Sequence, residues 1–413
     1  MTDNYDVVVV GAGPSGARTA GLLAQKGYSV ALLEEHAKIG LPVHCSGFVT
    51  PRTLAVAGLS DSLVLNKIKG AHVYSSNGKM ITLGGDQDRA FVLDRASLDQ
   101  KIVESSLESG ADLYLGNRVK SIETLNSHME IQVQKKNSRI RYKSRSIVGA
   151  DGVRSIVAEH FGRATGQMIW CIGAEARILD HPMDMVRIYV GDTIAPGWFA
   201  WTIPIEPHKV RIGLGTIMNT SQKKPRTFFN ELLSRFPNHF KGLEIESFGG
   251  GFIPLYTNAQ TYFNRTLLVG DAALQVKPTS GGGIYMGLKG AEYAATSLDE
   301  ALQSDALAEK NLSTYQERWT KEIGFELKRG LDIRNKYLSL GDSQLERMID
   351  ILNIPLFKSK INRYGDIDYP SRMFGVLLGL APILKGVLGL PDILPLPWRR
   401  VVDRDNWQQI LKG

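Results

Sequence analysis

The sequence predicts a mixed α/β fold: a parallel sheet, an inserted antiparallel β-sheet domain and a helical C-terminal region. Residues 7–10 are four consecutive valines, a run typical of a central parallel strand. Alternating apolar and polar residues fill much of 71–146 and 165–260, and Asn77-Gly78 marks a hairpin turn. After Gly290, apolar residues recur at helical spacing.

The first strand leads into a nucleotide-binding turn. Gly11, Gly13 and Gly16 follow the valines at GxGxxG spacing, and a small-residue helix then runs to Gly27. The next strand ends at Glu34, close to the distance along the chain expected for an acid that binds a ribose hydroxyl. A carboxylate there favours FAD or NAD over NADP. The residues expected to bind the cofactor here are Gly11, Gly13, Pro14, Ser15, Gly16, Glu34 and Glu35.

Two distal segments favour FAD over NAD. Asp151-Gly152 and Gly270-Asp271 each follow a short apolar strand, and the glycines 281–283 precede another helix. An aspartate at a strand end suits the ribityl hydroxyls of a flavin. Backbone N–H groups of the glycines suit the flavin edge that gains negative charge on reduction. The alternative is that Gly270-Asp271 is an ordinary turn.

Three motifs occur in this order: the GxGxxG turn with Glu34, the Asp151-Gly152 pair and the Gly270-Asp271 pair. Together they resemble the flavoprotein group that includes para-hydroxybenzoate hydroxylase. The resemblance implies FAD, a glutathione-reductase-like Rossmann domain and an inserted β-sheet substrate domain. It also implies that Asp271 holds the ribityl chain and that Arg95 lies near the cofactor, although Arg95 alone also fits a surface charge at a helix start. The further cofactor-binding residues expected are Val119, Asp151, Gly152, Gly270, Pro278, Gly281, Gly282, Gly283 and Ile284.

The segment KIGLPVHCSGFV, residues 38–49, resembles the geranylgeranyl reductase family, which saturates isoprenoid double bonds. Gly40, Pro42, Val43 and Cys45 match its Gly-x-Pro-Val-x-Cys pattern. The resemblance implies that Cys45, Ser46 and Gly47 lie beside the flavin. Our hypothesis is that Cys45 donates or orients the proton that completes reduction. The alternative is a small buried apolar side chain, although the polar neighbours of Cys45 favour partial exposure.

The stretch GWFAWTIPIEPHKVRIGLG, residues 197–215, is expected to shape the substrate site. The same family carries a Tyr-x-Trp-x-Phe-Pro motif. Trp201 and Pro204 match it, whereas Phe199 and Ile203 depart from it and leave any role for a tyrosine proton in doubt. Flavin halogenases carry a similar Trp-x-Trp-x-Ile-Pro motif. The expected substrate-binding residues are Trp198, Phe199, Trp201, Pro204 and Gly213.

Strand alternation predicts that Phe199 and Trp201 share one face and that Trp198 takes the other. The alternative is that all three aromatic residues are core. No Arg or Lys occurs in 195–204, so this segment offers no positive charge to bind a small anionic substrate. A long hydrocarbon substrate fits the segment better.

The predicted domains are discontinuous. The FAD-binding domain comprises 1–70, 90–165 and 262–300, and the β-sheet substrate domain comprises 71–89 and 166–261. The helical region is 301–413, in which 374–402 is apolar but interrupted by prolines and charges. We interpret 374–402 as a monotopic membrane-facing patch, with a packed helical hairpin as the alternative.

Composition limits the other partners. The net charge of +7 suits an anionic cofactor, an acidic membrane or an acidic protein. The sequence contains no basic run interleaved with aromatic residues, so we do not expect it to bind nucleic acid. Two cysteines, Cys45 and Cys171, allow neither a disulfide framework nor a zinc cluster. The N-terminus has no signal pattern, so we expect a cytoplasmic protein that is peripheral at the membrane.

The function predicted from these observations is FAD-dependent saturation of geranylgeranyl chains, most simply of membrane ether-lipid precursors. The electrons come from NADPH or from a reduced ferredoxin, and the sequence does not choose between them. Two other readings remain: a flavin monooxygenase or halogenase that uses O₂ on an aromatic substrate, and a flavin-bound membrane scaffold without turnover.

Overall fold

The computed structural model describes residues 2–163, 166–217 and 223–373. The strands, in chain order, are β1 Thr2–Val10, β2 Val30–Leu33, β3 Phe48–Val49, β4 Val64–Ile68, β5 Gly70–Tyr74, β6 Met80–Gly84, β7 Ala90–Leu93, β8 Asp112–Tyr114, β9 Arg118–Thr124, β10 Met129–Lys135, β11 Ser138–Gly149, β12 Met168–Arg177, β13 Met185–Val190, β14 Phe199–Glu206, β15 Lys209–Ile217, β16 Glu244–Pro254, β17 Tyr262–Phe263 and β18 Thr266–Leu268. The helices are α1 Pro14–Ala24, α2 Pro51–Ala57, α3 Arg95–Glu108, α4 Ile156–His160, α5 Pro225–Arg235, α6 Ile284–Gln303, α7 Glu309–Trp319, α8 Phe325–Leu338, α9 Asp342–Leu352 and α10 Pro355–Tyr364.

An eight-stranded sheet forms the centre of the molecule. Strands β18, β11, β1, β2 and β8 are parallel neighbours in that order, and β9 and β10 extend β11 as an antiparallel meander. The valines of β1 are fully buried because helices α1, α3 and α6 cover one face and the meander with α4 covers the other. The predicted mixed α/β fold is confirmed.

A seven-stranded, mainly antiparallel sheet stands beside it in the order β16-β12-β15-β14-β13-β5-β6. One face packs on α5 through an apolar cluster that includes Ala200 and Leu214. The other face packs on the small sheet β3-β7-β4 through Ile203 and Ile205. The segments 70–84 and 168–254 supply all its strands, and β17 and β18 return to the parallel sheet. The exact domain boundaries stay a prediction.

The described residues after α6, up to residue 373, are mainly helical. A π-helical turn at Thr320–Gly324 joins α7 to α8 without a break, so 309–338 is helical throughout. The segment 374–402, predicted to face the membrane, lies outside the described residues. Within the described ranges, none of the helices has both the length and the apolar character needed to cross a bilayer.

Candidate active site

The functional motifs meet at one edge of the parallel sheet. Gly11 donates its N–H to Leu33 O at 2.7 Å, Ala150 donates to Val10 O at 2.8 Å, and Val269 donates to Gly149 O at 2.9 Å. These bonds align the carboxyl ends of four strands, which is where open α/β sheets bind ligands.

The glycine turn is shaped for close approach of a ligand backbone. Gly11 has φ +96°, and a Cβ on it would lie 2.4 Å from Ala150 O. A Cβ on Gly16 would lie 2.0 Å from Gly11 O, so only glycine lets α1 start so close to β1. A Cβ on Gly13 would meet nothing within 4 Å. The open space beside Gly13 is at the α1 N-terminus, where backbone N–H groups favour phosphate.

Glu34 lies beside this turn, as the spacing predicts. Its carboxylate accepts the Ala12 N–H at 3.0 Å and the His36 N–H at 2.9 Å, and it contacts the His36 ring at 2.6 Å. Glu34 and His36 line a cleft together with Ala12, Gly13 and residues 38–45. The cleft therefore joins the glycine turn to the Cys45 segment.

Asp271 has the properties expected of a ribityl-binding carboxylate. It follows β18, and no hydrogen bond reaches its carboxylate from any residue in the described ranges. Burial raises its pKa to about 6, partly offset by Arg95. A partly buried carboxylate without a partner in the described residues is costly, so the hydroxyls of a ligand would satisfy it. The Asp271 carboxylate and the open glycine turn thus fit FAD.

The glycine loop 281–283 connects this carboxylate to the aromatic segment. A Cβ on Gly283 would lie 3.0 Å from Asp271 Oδ1. A Cβ on Gly281 would lie 2.7 Å from Ile253 and 3.2 Å from the Trp198 ring. The two motifs that the sequence assigns to the flavin ring and to the substrate are therefore adjacent, and α6 begins at Ile284 directly after the loop.

Cys45 is exposed, so the alternative of a small buried apolar side chain is wrong. The Gly47 N–H points to its sulfur at 3.4 Å, and Arg95 lies close enough for its charge to interact with Cys45. Arg95 is the first residue of α3 and forms a largely buried ion pair with Asp99. Burial works to lower the pKa of Arg95, but Asp99 and Cys45 raise it above its usual range. The alternative of a surface charge at position 95 is also wrong.

Arg211 holds the Cys45 segment against the seven-stranded sheet. It extends from β15, pairs with Glu175 at 2.9 Å, and donates to Ser46 O at 2.8 Å and to Leu93 O at 3.0 Å. In the sheet register Trp201 pairs with Gly213, two residues along β15 from Arg211, so Trp201, Gly213 and Arg211 share one face. Cys45 therefore lies over the face that carries Trp201.

We call Phe199 and Trp201 the aromatic wall, and their arrangement is partly as predicted. The Phe199 and Trp201 rings share a face, 5.7 Å apart and edge to face, and both are half-buried. Trp198 does not take the opposite face: it precedes β14 and stacks on Phe199 at 5.1 Å in the same apolar cluster. The Trp198 side chain is core, at 2% exposed. The strand begins after a turn at Gly197, with φ +71°, so alternation does not extend to Trp198. Pro204 lies within β14 at an irregularity in its pairing.

A buried cation from elsewhere in the chain packs against the 195–204 segment. Arg334, from α8, lies 4.8 Å from the centroid of the Trp198 ring and donates to Gly197 O at 2.7 Å. Burial lowers its pKa to about 10. The absence of Arg and Lys from 195–204 says nothing about residues far along the chain that fold against it.

Three predicted cofactor residues have other surroundings. Glu35 forms an exposed ion pair with Arg118 and does not line the cleft. The Val119 side chain is buried in the core beside β10. Asp151 accepts the N–H groups of Ile156 and Val157 and so caps α4. Their contacts with a cofactor stay predictions, as do those of Gly152, Ser46 and Pro278.

Sequence reasoning missed several residues that build the site. His36 and Asp99 line the cleft, and Arg211 and Arg334 support the aromatic wall. The His36 position, two residues after Glu34, was the signal available in the sequence. Asp99 also had a local signal, because it lies one turn after Arg95 on α3 and pairs with it. Arg211 and Arg334 depend on contacts between distant segments.

The site combines the open glycine turn, Glu34 after the second strand and Asp271 beside the 281–283 glycine loop. This combination is that of a flavin-dependent oxidoreductase. The family model described as an FAD binding domain matches residues 4–321. Digeranylgeranylglycerophospholipid reductase 1 of Methanococcoides burtonii is 31% identical over 386 residues, which cover 91% of this chain and 93% of the relative. An uncharacterised protein of Methanocaldococcus jannaschii is 31% identical over 95% of this chain and 99% of its own length.

A solved structure described as geranylgeranyl bacteriochlorophyll reductase-like, from Thermoplasma acidophilum, has a TM-score of 0.85 at 22% identity, covering 95% of this chain and all of that one. Solved flavin-dependent halogenases have TM-scores of 0.67 to 0.71 at 13 to 15% identity, which shows only a shared fold. The chain belongs to the geranylgeranyl reductase family of FAD-dependent oxidoreductases.

Proposed function

We propose that this protein saturates carbon–carbon double bonds in the geranylgeranyl chains of membrane ether-lipid precursors. The observation that carries the proposal is the position of the Cys45 segment. Arg211 ties it to the sheet face that carries Phe199 and Trp201, beside the glycine turn expected to hold FAD. The named relative acts, by its name, on a digeranylgeranylglycerophospholipid, which supplies the substrate class.

Residues of this chain would hold FAD at both ends. The α1 N-terminus beside Gly13 would bind the pyrophosphate, Glu34 the adenosine ribose and Asp271 the ribityl chain. When bound and reduced, FAD supplies a hydride. Phe199 and Trp201 offer an apolar surface that holds a prenyl chain by area and excludes water.

The second hydrogen must arrive as a proton. Cys45 is the acid expected to deliver it, because its thiol is exposed to the cleft. The Gly47 N–H and the Arg95 guanidinium would stabilise the sulfur after the proton leaves, since the first points to the sulfur and the second places a positive charge near it. Solvent then returns a proton to the exposed thiolate and regenerates the thiol.

Two further partners belong to this proposal. Electrons enter from NADPH or from a reduced ferredoxin, whose acidity would suit a chain of net charge +7. The apolar segment 374–402 would bring a cytoplasmic protein to the membrane where its substrate resides.

The test is mass spectrometry of a geranylgeranylated glycerol ether after anaerobic incubation with the chemically reduced protein. The proposal predicts products that gain one hydrogen pair for each bond reduced. Lipid binding without any mass gain would support a scaffold instead. Oxygen uptake coupled to NADPH oxidation, with no saturation, would support a monooxygenase or halogenase.

A further inference from the structure

A buried ion pair lies behind the glycine loop, outside the residues assigned to cofactor or substrate. Asp368, 1% exposed, accepts a hydrogen bond from Lys277 Nζ at 2.7 Å and another from the Thr50 hydroxyl. Lys277 is 5% exposed and also donates to Ile367 O at 3.1 Å. Arg52 approaches Asp368 at 3.8 Å from the exposed side. Ion pairs this deeply buried carry a desolvation cost, so stability alone is a weak reason for one.

Lys277 both closes the glycine loop and places its charge beneath it. The Lys277 N–H donates to Gly282 O at 3.3 Å, and Lys277 O accepts the Gly281 N–H at 2.9 Å. A Cβ on Gly282 would lie 2.5 Å from Lys277 Cε and 2.9 Å from Nζ. No Asp368 atom is among the three atoms nearest to this Cβ position on Gly282. The ammonium is therefore closer than the carboxylate to the loop backbone.

Asp368 also reaches the other side of the site. Thr50 follows β3, which comes directly after the Cys45 segment. One carboxylate thus joins the end of the Cys45 segment to the lysine that closes the 281–283 loop. Loss of either contact would free two loops that must approach the cofactor together.

We propose that the Lys277–Asp368 pair is a positioning device that sets the reduction potential of the bound flavin. The pair fixes the glycine loop, and the nearer ammonium adds positive potential there. Reduction adds negative charge to a flavin, so a cation behind the loop favours the reduced form, and Asp368 moderates that effect. The inference rests on FAD binding and on the loop facing the ring, not on the isoprenoid substrate.

The test is a redox titration of the holoprotein, with the midpoint potential as the readout. Lys277→Met should lower the potential and Asp368→Asn should raise it. We expect each to change the ratio of reduced to oxidised flavin about tenfold at fixed applied potential, roughly 30 mV for a two-electron couple. Lys289→Met is the matched control, because Lys289 pairs with Glu292 on α6 without closing the loop. Its potential should equal that of the wild type.

A purely structural role would weaken FAD binding in both variants without moving the potentials in opposite directions. Shifts of the same sign, or no shift in either variant, overturn the proposal. If a single variant does not fold, Lys277→Met with Asp368→Met removes both charges together. It should lower the potential by less than Lys277→Met alone would, and an unchanged potential in that double variant also overturns the proposal. The titration needs no prenyl substrate, so its result is independent of the proposed reaction.

Discussion

Gly213→Ala tests the aromatic wall most sharply, because the structure gives the clash directly. A Cβ on Gly213 would lie 2.1, 2.2 and 2.7 Å from three atoms of the Trp201 indole. Ordinary contacts between carbon atoms are about 3.5 Å, so the indole must move by about 1 Å or more. Overpacking of this kind costs about 1–3 kcal/mol of unfolding free energy. If Trp201 holds the prenyl chain, a displacement of that size lowers turnover by about 10²-fold.

The matched control is Gly173→Ala. Gly173 pairs with Gly213 across β12 and β15, yet its Cβ would meet only Ile212 O at 3.6 Å. Thermal unfolding and turnover on a geranylgeranylated lipid are measured for both variants, with FAD content checked by absorbance. We expect Gly213→Ala to lose stability and turnover while Gly173→Ala keeps both. Equal behaviour of the two variants, or a Gly213→Ala protein as active as the wild type, would refute the role of Trp201.

Three other predictions follow from the same contacts. Cys45→Ala should lower the rate of anaerobic saturation by about 10²-fold or more while FAD stays bound. Cys171→Ala is the control and should keep the wild-type rate, because burial raises the pKa of Cys171 to about 12 and makes it a poor acid. A wild-type rate in Cys45→Ala would exclude the proton-donor role. Burial raises the pKa of Asp271 from 3.8 to about 6, so its contribution to stability is full below about pH 4 and is lost as the pH rises through about 6. The FAD-free chain should thus be more stable at pH 5 than at pH 7.5 relative to Asp271→Asn, by about 1 kcal/mol in thermal unfolding after allowance for partial exposure, and identical pH profiles would contradict this. Arg334→Met should destabilise the chain by about 1–3 kcal/mol through loss of the hydrogen bond to Gly197 O, and an unchanged melting temperature would show that this contact is dispensable.

The elements of the expected FAD site were predictable because they are local in the sequence. The valine run, the glycine turn and Glu34 lie within one strand–helix–strand unit, and each has a signature of its own. Asp271 and the 281–283 glycines could be located in the same way, since a strand and a helix flank them. Parallel pairing then brings these segments together without further information.

The surroundings of the aromatic wall were not predictable from local pattern. Arg334 contacts Gly197 from 137 positions away, and Arg211 contacts Ser46 from 165 positions away. The wrong face for Trp198 has a local cause, because the strand begins one residue later than alternation assumed. The buried Lys277–Asp368 pair likewise joins segments that no spacing rule connects.

The most direct measurement of the proposed reaction is anaerobic reoxidation of the reduced holoprotein, followed by the return of oxidised flavin absorbance after mixing with lipid. A geranylgeranylated ether should restore the absorbance of oxidised flavin, and the hydrogen pairs added to the lipid should equal the flavin reoxidised. A fully saturated ether of the same length should neither reoxidise the flavin nor gain hydrogen. If both lipids leave the flavin reduced while oxygen reoxidises it and an aromatic substrate is modified, the cleft beside Cys45 is not a site of prenyl reduction.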